Sequence, residues 1–400
     1  DQVPAPLSRI PRSASADHAI EAVAARRRLC EQVVGRPLVH LAGTPVPPAQ
    51  ARGKIENLIG FVQIPLGIAG PLRIDSSEGQ GEVYVPMATT EGALVASYSR
   101  GMRVLREAGA VRARVVREGL SQHPALVYAD AASALAAAEV ARARLPELQR
   151  LTAGTTRHGA LVSLEARVIG RRLILRLTFT TGDALGINMA AQATELCSRE
   201  IAQETGALER YIHGQDVEKR ANAHALATGR GRSVIAEARI PRALLASELR
   251  VTPEQLVAIG KTYQVGYAEL VTTNWTVQAA NGLAAVMLAC GQDVAYLTEC
   301  ANGFLDLECD AQGSLYAAVT LPSLLVGTVG GGCAQGTARE CLALLGCEGT
   351  GKARRLAEIL AATVLAGDLS LMAAFCSHEF VAAHERLGRN RPDTPEVAGP

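Results

Sequence analysis

Aromatic side chains make up only 4% of the chain, too few for the stacking platform of a single-stranded nucleic-acid groove. Charge of one sign is lacking too. The formal net charge is +1, so no basic field suits a phosphate backbone and no acidic field suits a cationic partner. No uninterrupted apolar run reaches the roughly 18 residues that suggest a membrane span. The opening stretch DQVPAPLSRIPRSASAD has no apolar signal core and reads as a flexible leader or the edge of a longer protein. No predicted strand leads into GxGxxG, so a Rossmann unit is not expected. The nine cysteines are Cys30, Cys197, Cys290, Cys300, Cys309, Cys333, Cys341, Cys347 and Cys376. None forms a C-x-x-C pair and their number is odd. That argues against a zinc site or a closed disulfide framework, and for reduced, buried thiols in the cytoplasm.

What is present is apolar substance. Hydrophobic residues make up 48% of the sequence, a globular share. Four hundred residues exceed one small core and predict two or three domains.

The chain opens with a predicted helix over 15–34. A Pro-rich connection follows, then ENLIGFVQIPLGIAGPL, where Gly and Pro interrupt the apolar residues as in buried irregular chain. A hairpin over 73–86 leads into ATTEGALVAS. There Thr90 reads as a helix N-cap and Glu91 as an anion in the first turn. Leu94, Val95, Tyr98, Met102 and Leu105 recur at helical spacing, and Gly109 can end the helix. A strand over 111–116, a helix over 129–145, strands over 161–169 and 173–180 and a helix over 186–204 follow. The order βαββα suggests a small ferredoxin-like α+β unit inserted in a larger domain. The remainder reads as mostly helical. It has a capping box in TPEQ (252–255), a helix over 277–290 and a hairpin of 304–309 with 315–320 around DAQG. Two helices close the chain, one from 352 and one over 368–387.

Taken singly, the charged residues have ordinary structural readings. Asp293 suits a turn, Lys219 a surface run, Arg157 a surface arginine, and His384 the end of a helix. GTVGGG (327–332) allows close backbone approach to a ligand, but a plain turn explains it equally well.

Taken in order, the motifs say more. ENLIGFVQIPLGIAGPL, TTEGALVAS, GDALGINM, GRGRSVIAEA, ACGQD, LPSLLVGTVGGG and AGDLSLMAA together resemble the 3-hydroxy-3-methylglutaryl-CoA (HMG-CoA) reductase family, NADPH-dependent class. The resemblance runs from Glu56 to His384. It implies an α+β fold: a helix-rich large domain that binds the acyl-CoA, with an inserted ferredoxin-like, non-Rossmann small domain that binds NADPH. The expected boundaries are an N-terminal helical segment 1–55, the large domain at 56–112 and 212–400, and the small domain at 113–211. It also implies a homodimer or homotetramer with sites shared between subunits, and the Gly-interrupted apolar residues of ENLIG suit close burial at or near that contact.

The implied roles follow the chemistry of reducing a thioester twice. Lys219 matches the lysine that stabilises the oxyanion, and Asp293 the acid that keeps it charged. Glu91 matches the proton donor to the aldehyde intermediate, a role that a raised pKa through burial beside another carboxylate would suit. His384 matches the histidine that protonates the departing thiolate. Arg112, Arg220, Lys261 and Asn281 fall at substrate-binding positions. Asp183, Gly186, Asn188, Thr328, Gly330, Gly331 and Gly332 match the cofactor region, and Thr156 with Arg157 the contact to the 2′-phosphate.

The chain departs from the pattern around the acyl group. EKRA (Glu218, Lys219, Arg220, Ala221) stands for DKKP, and Gln278 stands for a histidine. Bulkier VTTNWTVQ replaces small residues, RYIHGQD lacks a serine, and HERLGRNR lengthens the terminal loop. Reaction type is therefore better defined than acyl group. Reduction of another β-hydroxyacyl thioester, and a catalytically silent CoA- or nucleotide-binding role, stay open as alternatives.

Overall fold

The structure is a computed structural model describing residues 19–34, 37, 46–154, 156 and 158–377. Helix α1 (Ile20–Val34) precedes an antiparallel hairpin of β1 (Leu66–Ser76) and β2 (Gly79–Ala88). The hairpin is longer than expected because the Gly- and Pro-rich run joins the sheet from Leu66. Nor is that run uniformly buried. Leu58, Ala69 and Leu72 turn inward, but Val62, Leu66 and Ile68 are 82%, 54% and 54% exposed in the single chain.

Helix α2 (Leu94–Glu107) begins later than its sequence suggests. Its N-cap is Ala93, in the left-handed region at φ 70, and not Thr90. Glu91 lies in the turn ahead of the helix, where its N–H donates to Thr89 Oγ1 at 3.0 Å. Leu94, Tyr98, Met102 and Leu105 are buried as their spacing predicts.

Strand β3 (Val111–Gln122) runs well past the expected six residues. The chain continues through β4 (Ala125–Val127), α3 (Ala131–Ala143), α4 (Leu145–Ala153), β5 (Ala160–Ile169), β6 (Arg172–Thr180), α5 (Ile187–Thr205) and β7 (Glu209–Tyr211). The single helix expected over 129–145 is two. Asp130 caps α3 by accepting the Ser133 N–H at 2.7 Å, and Pro146 sits in the first turn of α4, where its missing N–H costs nothing. Next come β8 (Gly231–Ile240), α6 (Arg242–Leu249), α7 (Pro253–Glu269), β9 (Asn274–Trp275), α8 (Ala279–Ala289), β10 (Gly303–Cys309), β11 (Leu315–Leu324), α9 (Gly336–Leu344) and α10 (Ala353–Cys376). The capping box of α7 is present: Thr252 Oγ1 accepts the Gln255 N–H at 3.3 Å, and Gln255 Oε1 accepts the Thr252 N–H at 2.8 Å.

The strands pair in the order β7-β4-β6-β3-β8-β11-β10-β9, with β1 on β2 and β3, and β5 on β6. The first part of β3 pairs with β1 and β8, while Leu120–Gln122 pair with β6. One long strand thus links two flanks of a mixed α/β fold.

The two closing helices are one helix through Cys376, capped by Ser377; the expected stretch from 378 on lies outside the described residues. Helix α10 is long and apolar enough to cross a bilayer, but Leu356, Ile359, Leu360, Leu365 and Leu369 are buried inside the fold. Each such side chain contributes about 1.5–3 kcal/mol, so α10 is a core helix. A Cβ on Gly101 would strike the Ala366 carbonyl, so α2 and α10 cross backbone to backbone. The buried Glu358 fastens α10 to the sheet. It accepts the Ser77 N–H at 3.0 Å, the Ser77 hydroxyl at 2.6 Å, the Val115 N–H at 2.8 Å and the Ser76 hydroxyl.

Candidate active site

Lys219 stands in the segment between β7 and β8 with φ 57, and Asp216 precedes it at φ 48. The left-handed region costs a non-glycine residue roughly 1–2 kcal/mol, so contacts must hold this turn. The Lys219 N–H donates to Glu299 Oε1 at 2.6 Å. Its ammonium lies 2.9 Å from Asp293 Oδ2 and 4.9 Å from the centre of the Tyr296 ring. Both side chains of the ion pair are more than 40% exposed, so solvent screens it and it contributes little stability. Its effect is to aim the ammonium.

Asp293 is delivered by α8. Beyond that helix, Gly291 (φ 65) and Gln292 turn the chain, and Asp293 Oδ1 accepts the Ala295 N–H at 3.0 Å. Gly291 packs directly on Gly332, so a Cβ on either would meet the other's carbonyl. Gln292 completes the junction: its Nε2 donates to the Gly327 carbonyl at 3.0 Å, and its Oε1 accepts the Gly327 N–H at 2.9 Å. The ACGQD and GTVGGG motifs are therefore one wall. A cleft of about 560 Å³ opens against it, lined by Gly186, Asn188, Lys219, Asp293 and the Gly330–Gly332 run.

Asp183 and Thr328 stand behind this wall and do not line the cleft. The Asp183 carboxylate accepts the N–H groups of Gly351, Lys352 and Ala353 at 2.7, 3.0 and 3.0 Å, at the N-terminus of α10. Burial pushes its pKa up, but those three donors bring it below the usual carboxylate value. Thr328 donates its N–H to the Asp183 carbonyl at 2.8 Å and its hydroxyl to the Gly349 carbonyl at 2.6 Å.

The other expected residues lie elsewhere in the single chain. Arg112 is at the start of β3, 3.3 Å from Glu237. Gln122 ends the same strand, ten residues and about 33 Å away, and it is Gln122 that reaches the Lys219 segment, donating to Glu218 at 2.7 Å. Arg220 neighbours Lys219 but binds Asp216, with Nε 3.1 Å from Oδ2. Lys261 is exposed on α7, bordering a separate cavity with Tyr263, Tyr267 and Trp275. Asn281 is exposed in the first turn of α8, and Glu91 is exposed, not buried beside a carboxylate. Thr156 accepts the His158 N–H at 3.1 Å. Arg157 and His384 lie outside the described residues.

Gln278, at the position of the expected histidine, is buried below α2. Its N–H donates to Asp368 Oδ1 at 2.8 Å, its side-chain amide donates to the Gly367 carbonyl, and its own carbonyl accepts the Tyr98 hydroxyl at 2.7 Å. Asp368 is fully buried. Burial pushes its carboxyl up to about 7, against the N–H donors of Gln278 and Val277.

Sequence reading missed Arg230, Glu299 and Tyr296, which surround Lys219 from other elements. Glu299 was detectable only as a charge in an otherwise apolar stretch, AYLTECA.

A glycine-walled cleft facing a lysine ion-paired to an aspartate is the kind of equipment that can stabilise negative charge on a carbonyl oxygen. The chain belongs to the hydroxymethylglutaryl-coenzyme A reductase family, whose sequence model matches residues 22–389. It is 39% identical over 375 residues to 3-hydroxy-3-methylglutaryl-coenzyme A reductase of Pyrococcus abyssi, covering 91% of this chain and 92% of that protein. With the Methanothermobacter thermautotrophicus protein of that name it shares 39% over 373 residues, covering 92% and 94%. Its fold is similar to the class II 3-hydroxy-3-methylglutaryl-CoA reductase from Streptococcus pneumoniae bound to NADPH in open conformations. The TM-score is 0.69 at 20% identity, covering 91% of this chain and 97% of that one.

Proposed function

We propose that this chain carries out the two-step reduction of HMG-CoA to mevalonate and CoA, with NADPH supplying a hydride to each step. The observation that carries the reading is Lys219, aimed by Asp293 and Tyr296 into a cleft walled by glycine backbone. The residues present fit such a cofactor. Gly330 and Gly331, at φ 77 and 50, leave open space where side chains would project, and Gly186 and Asn188 line the same cleft. Asp183 and Thr328 hold that wall in place. Arg157 with Thr156 would take the 2′-phosphate.

Lys219 stabilises the negative charge that each reduction places on the substrate oxygen. Asp293 holds the lysine ammonium in place through their ion pair. His384 donates a proton to the thiolate sulfur as the C–S bond breaks, and Glu91 donates one to the oxygen of the aldehyde. Arg112, Arg220, Lys261 and Asn281 remain candidates for holding the acyl chain. We assign 56–112 and 212–400 to an acyl-CoA-binding domain and 113–211 to an inserted, ferredoxin-like cofactor domain. The pairing of β4 to β7 among themselves and with only the end of β3 supports that division.

A homodimer or homotetramer completes the site. Glu91, Lys261 and Asn281 lie away from the Lys219 cleft of their own chain, and the exposed Val62, Leu66 and Ile68 offer an apolar contact. Free thiols, mostly buried, suit the cytoplasm.

Reduction of another β-hydroxyacyl thioester is the second reading. The aromatic cavity beside Lys261 and the buried Gln278 favour it. Incubation with NADPH and a panel of acyl-CoA thioesters, with the products identified, decides between them. Preferred turnover of HMG-CoA with mevalonate formed supports the first reading, and preference for another acyl group supports the second. Binding without turnover would leave a silent relative.

A further inference from the structure

Behind Lys219 lies a charged cluster whose two buried members, Arg230 and Glu299, do not line the cleft, while Glu218 and Tyr296 do. Arg230 and Glu299 are each 1% exposed. Arg230 Nη1 donates to both Glu299 oxygens at 3.0 Å, its Nη2 to Glu218 Oε1 at 3.1 Å, and its Nε to the Ser121 carbonyl at 3.0 Å. Glu218 also accepts from Gln122 Nε2 at 2.7 Å and from the Tyr296 hydroxyl at 3.1 Å. Glu299 also accepts the backbone N–H of Lys219 at 2.6 Å.

A buried ion pair is weak support for stability, because desolvation offsets most of the attraction. This one is better explained by what it touches. Glu299 binds the backbone of Lys219 itself. Arg230 binds the side chain of the preceding residue, Glu218. Tyr296 is bonded to Glu218 through its hydroxyl and lies under the Lys219 ammonium through its ring. These contacts fall on Lys219 or on Glu218 just before it, and the Lys219 φ of 57 is unfavourable without support. Freed from Glu299, Lys219 would relax toward negative φ and swing its ammonium off Asp293.

We propose that the buried Arg230–Glu299 pair is a positioning device for Lys219, with Glu299 as its key member. It fixes the backbone from which the ammonium reaches the reacting oxygen, and Glu218 and Tyr296 transmit the constraint. Arg230 and Glu299 are positioning residues, since neither lines the cleft. The proposal rests on the reductase reading for its kinetic consequence, but not for its geometry.

Two conservative variants separate positioning from stability. Glu299→Gln keeps the length of the side chain and an acceptor for the Lys219 N–H while losing the charge. Glu299→Asp keeps the charge opposite Arg230 but withdraws the acceptor from Lys219. Positioning predicts a kcat order of wild type, then Gln, then Asp. Asp should lose up to about 100-fold, the cost of roughly an ångström of misplacement, with KM for the thioester little changed. A purely stabilising pair predicts that Asp melts above Gln and that both turn over alike. Asp equal to or faster than Gln in kcat overturns the proposal.

Competitive acetylation, read by mass spectrometry, gives a readout independent of substrate. The Lys219 amine should be labelled several-fold faster in Glu299→Asp than in wild type, relative to Lys54, and unchanged in Glu299→Gln. Equal labelling in all three proteins also overturns it. Failure of the wild type to reduce HMG-CoA would instead refute the substrate reading, leaving the labelling result to judge the clamp.

Discussion

Lys219 and His384 are assigned to different moments of the reaction, so their loss should look different. His384 is needed only where a C–S bond breaks. His384→Gln should slow HMG-CoA reduction about 100- to 10,000-fold, as for a lost general acid, while sparing reduction of added mevaldehyde. Lys219→Ala should impair both, because both steps load charge onto oxygen. Steady-state kinetics on the two substrates, with a melting curve as control, check this; equal losses in a folded His384→Gln protein would remove its thiolate role. Arg157 is the candidate for cofactor choice, since a guanidinium can bind a 2′-phosphate bidentately and NADH has none. Arg157→Ala should raise KM for NADPH and barely change KM for NADH; equal effects on both cofactors would mean a misassigned residue. The ion pair of Lys219 with Asp293 joins two motifs that were legible in order along the chain. Arg230, Glu299 and Tyr296 were not legible. A buried polar contact between distant segments leaves no periodicity, and each of these residues has an ordinary local reading. At Glu91 the local pattern misled: Thr90 has the chemistry of an N-cap, but the chain turns through a left-handed Ala93 instead.

Helix α10 carries a carboxyl that should report on pH. Asp368 moves from an ordinary value of 3.8 in the unfolded chain to about 7 in the fold, chiefly through burial. The folded state therefore keeps a proton that the unfolded state has released across that window. Its contribution is complete below about 4 and is lost as pH rises toward 7, on the order of a few kcal/mol in all. Asp368→Asn, which cannot ionise, should show a flatter fall in melting temperature between pH 4 and 8. A parallel fall in both proteins would show that Asp368 is not protonated in the fold. The sequence suggested a second helix beginning at this residue. The carboxyl instead turns inward to the Val277 and Gln278 N–H groups, a use that only tertiary packing reveals. Elements whose signals are local were readable: the capping box of α7, the β10–β11 hairpin and the extent of α5 all match their sequence patterns. Strand β3 outran its expected end because its length is set by two different partners, β8 and β6.

A single chain leaves Glu91, Lys261 and Asn281 apart from the Lys219 cleft and leaves Val62 and Leu66 exposed. Both facts are resolved if a second copy packs against the ENLIGFVQIPLGIAGPL run. Solution scattering should therefore show a dimer or larger assembly, and a monodisperse, fully active monomer would refute the shared site. The most direct measurement is stoichiometric. Wild-type protein is mixed with limiting HMG-CoA and excess NADPH, and NADPH oxidation, free thiol and mevalonate are quantified in one sample. Two NADPH oxidised per thiol released, with mevalonate in equal amount to thiol, is the result expected of a reductase that carries one thioester through both reductions. One NADPH per thiol with aldehyde accumulating, or no oxidation at all in a folded protein, would contradict it.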